Sequence, residues 1–204
     1  MKKLIIVILL MSIVTGGLFA GGFFGGVLFV SNDTFEEDDS ETSIDQFGFA
    51  LSGSHYVGKG SGIGFGYSLG VGFPTVSYDA GIFGWEVESD PFSLNASVAA
   101  QYLVSLNEAA YLEFGVGLGY LGVASTYTFL GEEYIASLNI VKLEMKTGGM
   151  FSISDSLNIG AGAVFSFPLD ITGTIDTSSE ETPPSIDFDS GFGIKGYLGT
   201  YLKY

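Results

Sequence analysis

Residues 61–74 read SGIGFGYSLGVGFP, and they alternate between large and small side chains. Odd positions from 63 to 73 carry Ile, Phe, Tyr, Leu, Val and Phe, whereas even positions from 62 to 72 carry Gly or Ser. Successive side chains of a β-strand point to opposite faces of the sheet. The stretch therefore predicts a strand with one bulky apolar face and one face of small residues.

The same period of two recurs along the chain, and no helical period competes with it after residue 20. The pattern is weaker over 44–55, and over 21–30 both faces are apolar, so the inward face of that segment is not assigned. Each run is long enough for a tilted transmembrane strand, which needs roughly 9–11 residues. The eight predicted strands are 21–30, 44–55, 61–74, 92–106, 110–124, 137–151, 157–167 and 188–204.

The connections between these strands alternate in length. The short connections are 56–60, 107–109 and 152–156, and the long ones are 31–43, 75–91, 125–136 and 168–187. Short turns at one end and long loops at the other are typical of outer-membrane barrels, whose turns are periplasmic and whose loops are extracellular. The sequence thus predicts an all-β fold over residues 21–204, an eight-stranded antiparallel up-and-down transmembrane β-barrel.

The composition of the two strand faces predicts which of them meets lipid. The small face is rich in Gly and Ser, whereas the outer face of a soluble barrel would carry Lys, Glu and Thr. The lumen of an eight-stranded barrel is narrow and accepts mostly small side chains. Aromatic residues of the apolar face cluster at both strand ends, as expected at two membrane interfaces. We therefore expect the apolar face to meet lipid; the alternative is a soluble, lipocalin-like barrel with that face inward.

Residues 1–20 have the features of a secretory signal peptide. Lys2 and Lys3 precede an apolar run over 4–14, and small residues follow it. We place cleavage after Ala20, with Gly17 as the second choice. The alternative is a membrane-spanning helix within the uncharged residues 4–30, but this segment holds paired glycines, each of which costs about 1 kcal/mol in a helix.

The composition excludes several classes of protein. The chain has 204 residues, 7 basic and 23 acidic, and no cysteine, so disulfide scaffolds and thiolate metal sites are excluded. Five lysines after position 3 and no arginine do not make the basic footprint that nucleic acids require. We expect a single domain with no cofactor and no nucleic-acid partner.

Nineteen of the 23 acidic residues, Asp33 among them, fall in or beside the four long loops, where there is no Lys or Arg. Such an anionic rim would gather divalent cations or a cationic surface partner. Alternatively, these are solvated loops whose charge prevents aggregation. No loop has the spacing of a calcium site, so no metal site is predicted.

A few charged residues fall on the small face, where the barrel would enclose them. An unpaired charge in a narrow lumen would cost several kcal/mol, so we expect these residues to pair, with Gln101 and Asn95 as further members. This network is either an internal plug that fixes the register or a gate on a narrow ion or water path. The predicted lumen ion network consists of Glu113, Lys142, Glu144, Lys146 and Lys195.

Two motifs with catalytic associations are set aside. His55 is the only histidine, and no acid is placed to orient it as a general base. The pattern Gly117-x-Gly119-x-x-Gly122 lies within a period-two run, so no helix N-terminus follows it to hold a phosphate. We expect the protein not to be an enzyme.

The last strand carries the most specific local pattern, YLGTYLKY over 197–204. It is similar to the C-terminal assembly signal of outer-membrane barrels through Gly199, Leu202 and Tyr204, although Tyr197 stands where that signal usually has a more polar residue. The chain thus resembles the small eight-stranded bacterial outer-membrane barrels, the family of the outer-membrane protein A transmembrane domain. The resemblance implies a monomer in the bacterial outer membrane, with membrane lipid and the barrel-assembly machinery as partners.

Three functions are compatible with such a barrel. We expect a structural or surface-interaction role that uses the acidic extracellular loops. The alternative is a narrow pore or a transporter of small or hydrophobic molecules, with Ile82, Phe83 and Trp85 shaping an entry. A membrane-embedded lipid enzyme is the least favoured reading.

Overall fold

The computed structural model describes residues 21–37, 40–57, 61–79, 84–86, 91–129, 132–177 and 190–204. The predicted signal peptide over 1–20 and its cleavage site lie outside these residues. Within the described residues, no helix is long and apolar enough to cross a membrane. The strands are β1 (Gly21–Glu37), β2 (Ser40–Tyr56), β3 (Gly62–Asp79), β4 (Gly84–Glu86), β5 (Phe92–Ser105), β6 (Ala110–Phe129), β7 (Glu132–Ser152), β8 (Leu157–Thr177) and β9 (Ser190–Lys203).

Eight long strands close into an antiparallel barrel. Each pairs with its neighbour along the chain, β3 pairs with β5, and β9 pairs with β1 to close the sheet. The short strand β4 adds only to the end of β3, at Ser77–Asp79. The predicted eight-stranded antiparallel barrel is confirmed, and closure removes the exposed sheet edges that an open sheet would present.

The predicted orientation of the strand faces is also confirmed. Ile63, Val116 and Leu198 are 69%, 52% and 54% exposed on the outer surface, whereas Gly64 and Gly119 are buried on the inner face. Apolar side chains exposed in a continuous band around a barrel are those that contact acyl chains.

The structure assigns the inward face of β1, which the sequence left unassigned. Leu28 and Val30 point outward and are exposed, whereas Phe23, Val27 and Phe29 point inward and are buried. The lumen therefore holds bulky apolar side chains besides the expected Gly and Ser. Periodicity cannot assign such a strand, because both of its faces are apolar.

The strands run further than the sequence predicted on the long-loop side. Much of 31–43 and 125–136 is not loop but paired strand, with Glu36 opposite Glu41 and Thr126 opposite Ile135. The period of two continues beyond the apolar band, but outward positions there are polar, as at Asn32 and Thr34. The predicted strands ended where the apolar face ended, which marks the membrane boundary rather than the strand end.

A β-bulge interrupts the pairing of β7 with β8. Val141 pairs with Asp170 but Lys142 pairs with Pro168, which leaves Leu169 as an extra residue. A bulge reverses the faces of the strand beyond it. Ser166 is thus buried inward before the bulge, and Ile171 and Gly173 turn inward after it.

Candidate functional site

The interior of the barrel is organised in layers. Apolar clusters lie at the short-turn end and at the long-loop end, and most of the lumen charges lie between them. The short-turn cluster comprises Phe23, Val27, Tyr56, Leu103, Tyr111, Met150 and Tyr201. The long-loop cluster comprises Phe35, Ile44, Leu121, Val123 and Ile140, with Val76, Leu138 and Ile171 packed against it.

The most buried ion pair joins Lys142 of β7 to Asp33 of β1. The Lys142 Nζ lies 2.6 Å from the Asp33 Oδ1, and the two side chains are 3% and 2% exposed. The Ser166 hydroxyl donates a second hydrogen bond to the same oxygen at 3.2 Å. Strands β8 and β9 separate β7 from β1 in the sheet, so this contact crosses the lumen.

The prediction that Asp33 belongs to an acidic extracellular loop was wrong. Strand β1 continues past residue 30, and its inward positions include Asp33. The charge count of the sequence could have indicated a buried Asp33, because the predicted lumen network had three lysines and only two carboxylates. A third buried carboxylate was required for neutrality.

The second ion pair joins Lys146 of β7 to Glu113 of β6 at 2.9 Å. The Tyr56 hydroxyl contacts the other Glu113 oxygen at 2.8 Å and the Gln101 Oε1 at 3.2 Å. The Lys146 ammonium also lies 5.1 Å from the centre of the Tyr197 ring, within the range of a cation–π contact. Glu113 thus has partners on both carboxylate oxygens.

The third ion pair is looser. The Lys195 Nζ lies 3.9 Å from the Glu144 Oε1, and the side chains are 20% and 11% exposed. The Lys195 ammonium also lies 5.3 Å from the centre of the Phe29 ring. Among the described lumen residues, three lysines therefore face three carboxylates, and their charges cancel.

Uncharged amides form a separate polar cluster near the long-loop end. The Gln46 Oε1 accepts hydrogen bonds from the Ser93 hydroxyl at 2.7 Å and from the Asn95 amide at 3.2 Å. Gln101, the other predicted amide, bonds Tyr56 instead. The structure places Gln101 beside the predicted ion network and Asn95 in this second cluster.

Glycines of the small face make room for the charged side chains. A Cβ at Gly193 would contact the Asp33 carboxylate and the Ser166 hydroxyl, and a Cβ at Gly119 would contact the Glu144 carboxylate. These glycines therefore make room for the carboxylates of two of the three ion pairs. A cavity of about 60 Å³ lies in the described part of the lumen and is lined by residues that include Ser52, Ser97 and Lys195, which leaves room for a few water molecules.

The three residues of the predicted assembly signal lie at the end of β9 or just beyond it. Leu202 and Tyr204 are both 58% exposed on the outer face, and Gly199 is buried on the inner face. Their recognition by the assembly machinery stays a prediction. His55 lies on the outer face at the same end of the barrel, 2.7 Å from the Tyr204 hydroxyl.

The closed barrel, its outward apolar band and its filled lumen define a small transmembrane β-barrel of the outer-membrane type. No protein-family model and no curated protein matches the sequence. Solved structures do match it. Outer membrane protein OprG of Pseudomonas aeruginosa matches with a TM-score of 0.61 at 13% identity, over 91% of this chain and 97% of that one.

Two further outer-membrane structures are similar at the level of the fold. Neisserial surface protein A matches with a TM-score of 0.59 at 9% identity, over 90% of this chain and 97% of that one. A major outer membrane protein of Thermus thermophilus matches with a TM-score of 0.56 at 13% identity, over 88% and 99% of the two chains. The chain therefore has the fold of the small outer-membrane barrels. Together with its lipid-facing band, this confirms the predicted location in the bacterial outer membrane.

Proposed function

We propose that this protein is a non-enzymatic outer-membrane barrel whose lumen is closed to steady ion flow, and whose role is structural or surface-interacting. The observation that carries the proposal is the filling of the lumen at three levels. Apolar clusters lie at both ends of the barrel, and buried ion pairs fill the lumen next to them, with Asp33 opposite Ile44 of one cluster and Glu113 bonded to Tyr56 of the other. Ions passing through would have to displace both clusters and separate the pairs.

The packed lumen favours the plug over the gate. The Lys142–Asp33 pair is almost fully buried, and separating a buried pair leaves an uncompensated charge, at a cost of about 3–5 kcal/mol. Because the pair joins β7 to β1 across the lumen, it also favours one register of these distant strands. We infer that the network stabilises the closed barrel.

The extracellular hairpins are the surface that a partner would meet. The β1–β2 hairpin projects beyond the apolar band, and its outward carboxylates include Glu36, Glu41 and Asp45. The Asn32 amide donates hydrogen bonds to Asp45 at 2.9 Å and to Ser43 at 3.1 Å, which orders this surface. Divalent cations or a cationic partner would be attracted to it, although solvated charge that only prevents aggregation is compatible with the same residues.

The transport alternative has less support. Two residues proposed to shape an entry, Ile82 and Phe83, lie outside the described residues, and only the backbone of Trp85 is described, in β4. For catalysis, the one histidine stacks against Tyr67 and bonds Tyr204 at the short-turn end. It is thus engaged in contacts within the barrel wall.

Single-channel recording from purified protein in a planar bilayer tests the proposal. We expect no steady conductance steps, because the lumen is filled at both ends. An open porin recorded in the same bilayer provides the positive control, and heat-modifiable gel migration verifies that the inserted protein is folded. Steady cation-selective steps from the folded protein would contradict the closed-lumen proposal and favour the pore.

A further inference from the structure

An aromatic cluster covers the outer face where the barrel closes. His55 points outward from β2, yet it is only 3% exposed. Its ring stacks with Tyr67 of β3 at 5.9 Å between centroids and meets the Tyr204 ring edge-on at 5.7 Å. The Tyr204 hydroxyl lies 2.7 Å from the His55 Nδ1 and 3.3 Å from the Nε2, and the shorter distance is that of a hydrogen bond.

This hydrogen bond passes over a whole strand. Tyr204 follows β9, His55 belongs to β2, and β1 lies between them in the sheet. Gly22 of β1 stands opposite His55, and it exchanges two backbone hydrogen bonds with Tyr204, at 3.1 and 3.2 Å. Tyr204 is thus hydrogen-bonded both to β1, through Gly22, and to β2, through His55.

Gly22 makes this crossing possible. A Cβ at this position would lie 2.8 Å from the Tyr204 hydroxyl, and it would also collide with the Ser54 carbonyl oxygen. Any side chain at Gly22 would therefore displace the Tyr204 ring. The Tyr204–His55 contact therefore requires glycine at position 22.

We propose that Tyr204, Gly22 and His55 form a seam clasp that holds the barrel closed at the pairing of β9 with β1. This pairing joins the two ends of the described barrel, and no turn connects its strands. The Tyr204–His55 bond joins residues 149 positions apart and requires β9 and β1 to be paired. It therefore stabilises the closed barrel against opening of the seam, independently of the proposed function.

Unfolding of purified, refolded protein tests the seam clasp without the assembly machinery. Tyr204→Phe keeps the ring and removes only the hydroxyl. We expect it to unfold about fivefold faster in urea, as for the loss of one partly buried hydrogen bond. In a His55→Phe background the same change is expected to have no further effect, because the partner is absent. Tyr102→Phe, at a half-exposed outward tyrosine near the same end, is the control and is expected to change little.

A seam-locking disulfide separates the clasp from ordinary packing. Gly26 of β1 and Thr200 of β9 are direct partners, and a Cβ at Gly26 meets nothing within 4 Å. The chain has no cysteine, so we expect oxidation of the double variant Gly26→Cys with Thr200→Cys to form a single defined bridge. In the oxidised protein we expect Tyr204→Phe no longer to accelerate unfolding. In the reduced protein we expect it to accelerate unfolding as in the chain without the two cysteines.

Two results would overturn the seam clasp. One is an equal effect of Tyr204→Phe on the unfolding rates of the oxidised and reduced proteins. This would show that the Tyr204–His55 contact stabilises the barrel as local packing and does not act on the opening of the seam. The other is wild-type unfolding kinetics of Gly22→Val, because a side chain at Gly22 must displace Tyr204. Tyr204→Phe retains all backbone bonds of the seam, so it provides a readout even where Gly22→Val does not refold.

Discussion

Replacing Lys142 with Met is expected to lower the free energy of unfolding by about 3–5 kcal/mol, the cost of leaving one member of a buried ion pair without its partner. The affected partner is Asp33, whose side chain is 2% exposed and accepts the Lys142 hydrogen bond at 2.6 Å. The Ser166 hydroxyl remains, but a neutral donor does not compensate a buried carboxylate. The free energy is measured by equilibrium urea unfolding in detergent micelles, with the folded fraction read from unheated gels.

Two further variants separate the pair from general effects of the substitution. The double variant Lys142→Met with Asp33→Asn removes both charges, and we expect it to recover most of the lost stability. Lys203→Met is the matched control, because Lys203 is exposed and bonds only the Tyr111 hydroxyl among the described side chains. Equal small effects of Lys142→Met and Lys203→Met would show that the lumen pair does not stabilise the barrel.

Placing a lysine at Val116 is expected to lower the free energy of unfolding in lipid vesicles by about 2–4 kcal/mol, as for a charge facing the middle of a bilayer. Val116 is 52% exposed, and Phe114 and Leu118, the next outward residues of β6, are exposed and apolar as well. The outward face of β6 is apolar from Leu112 to Tyr120, so Val116 lies near the middle of the band.

The same substitution beyond the band provides the control for Val116→Lys. Thr126 points outward from the same strand and is exposed outside the apolar band. We expect Thr126→Lys to change the unfolding free energy by about 0–1 kcal/mol. Equal effects at the two positions would mean that Val116 does not face hydrocarbon.

The strand pattern could be predicted because most of the strands have chemically different faces. In β3 and β6, glycine on one face and large apolar residues on the other assign both the face and its environment. Strand β1 could not be assigned in this way, because Phe23 and Phe24 are adjacent and both aromatic. Its face is set by pairing with β2 and β9, which are remote in sequence.

The members of the lumen network could be predicted individually, but their partners could not. The period of two placed Lys142 inward. Its ion-pair partner, however, is Asp33, which lies in the part of β1 beyond the predicted end of that strand. The bulge at Leu169 was equally hidden, since an extra residue in one strand is a property of the pairing. The Tyr204–His55 bond likewise depends on barrel closure.

Spin-label accessibility along β5 tests most directly whether the apolar face meets lipid. Because the chain has no cysteine, single cysteines at residues 96–100 can each carry a nitroxide in vesicles. The structure predicts high oxygen accessibility at Ala96, Val98 and Ala100, which point outward, and low accessibility at Ser97 and Ala99, which line the lumen cavity. High accessibility at Ser97 and Ala99 with low accessibility at Val98 would contradict the orientation of the entire barrel.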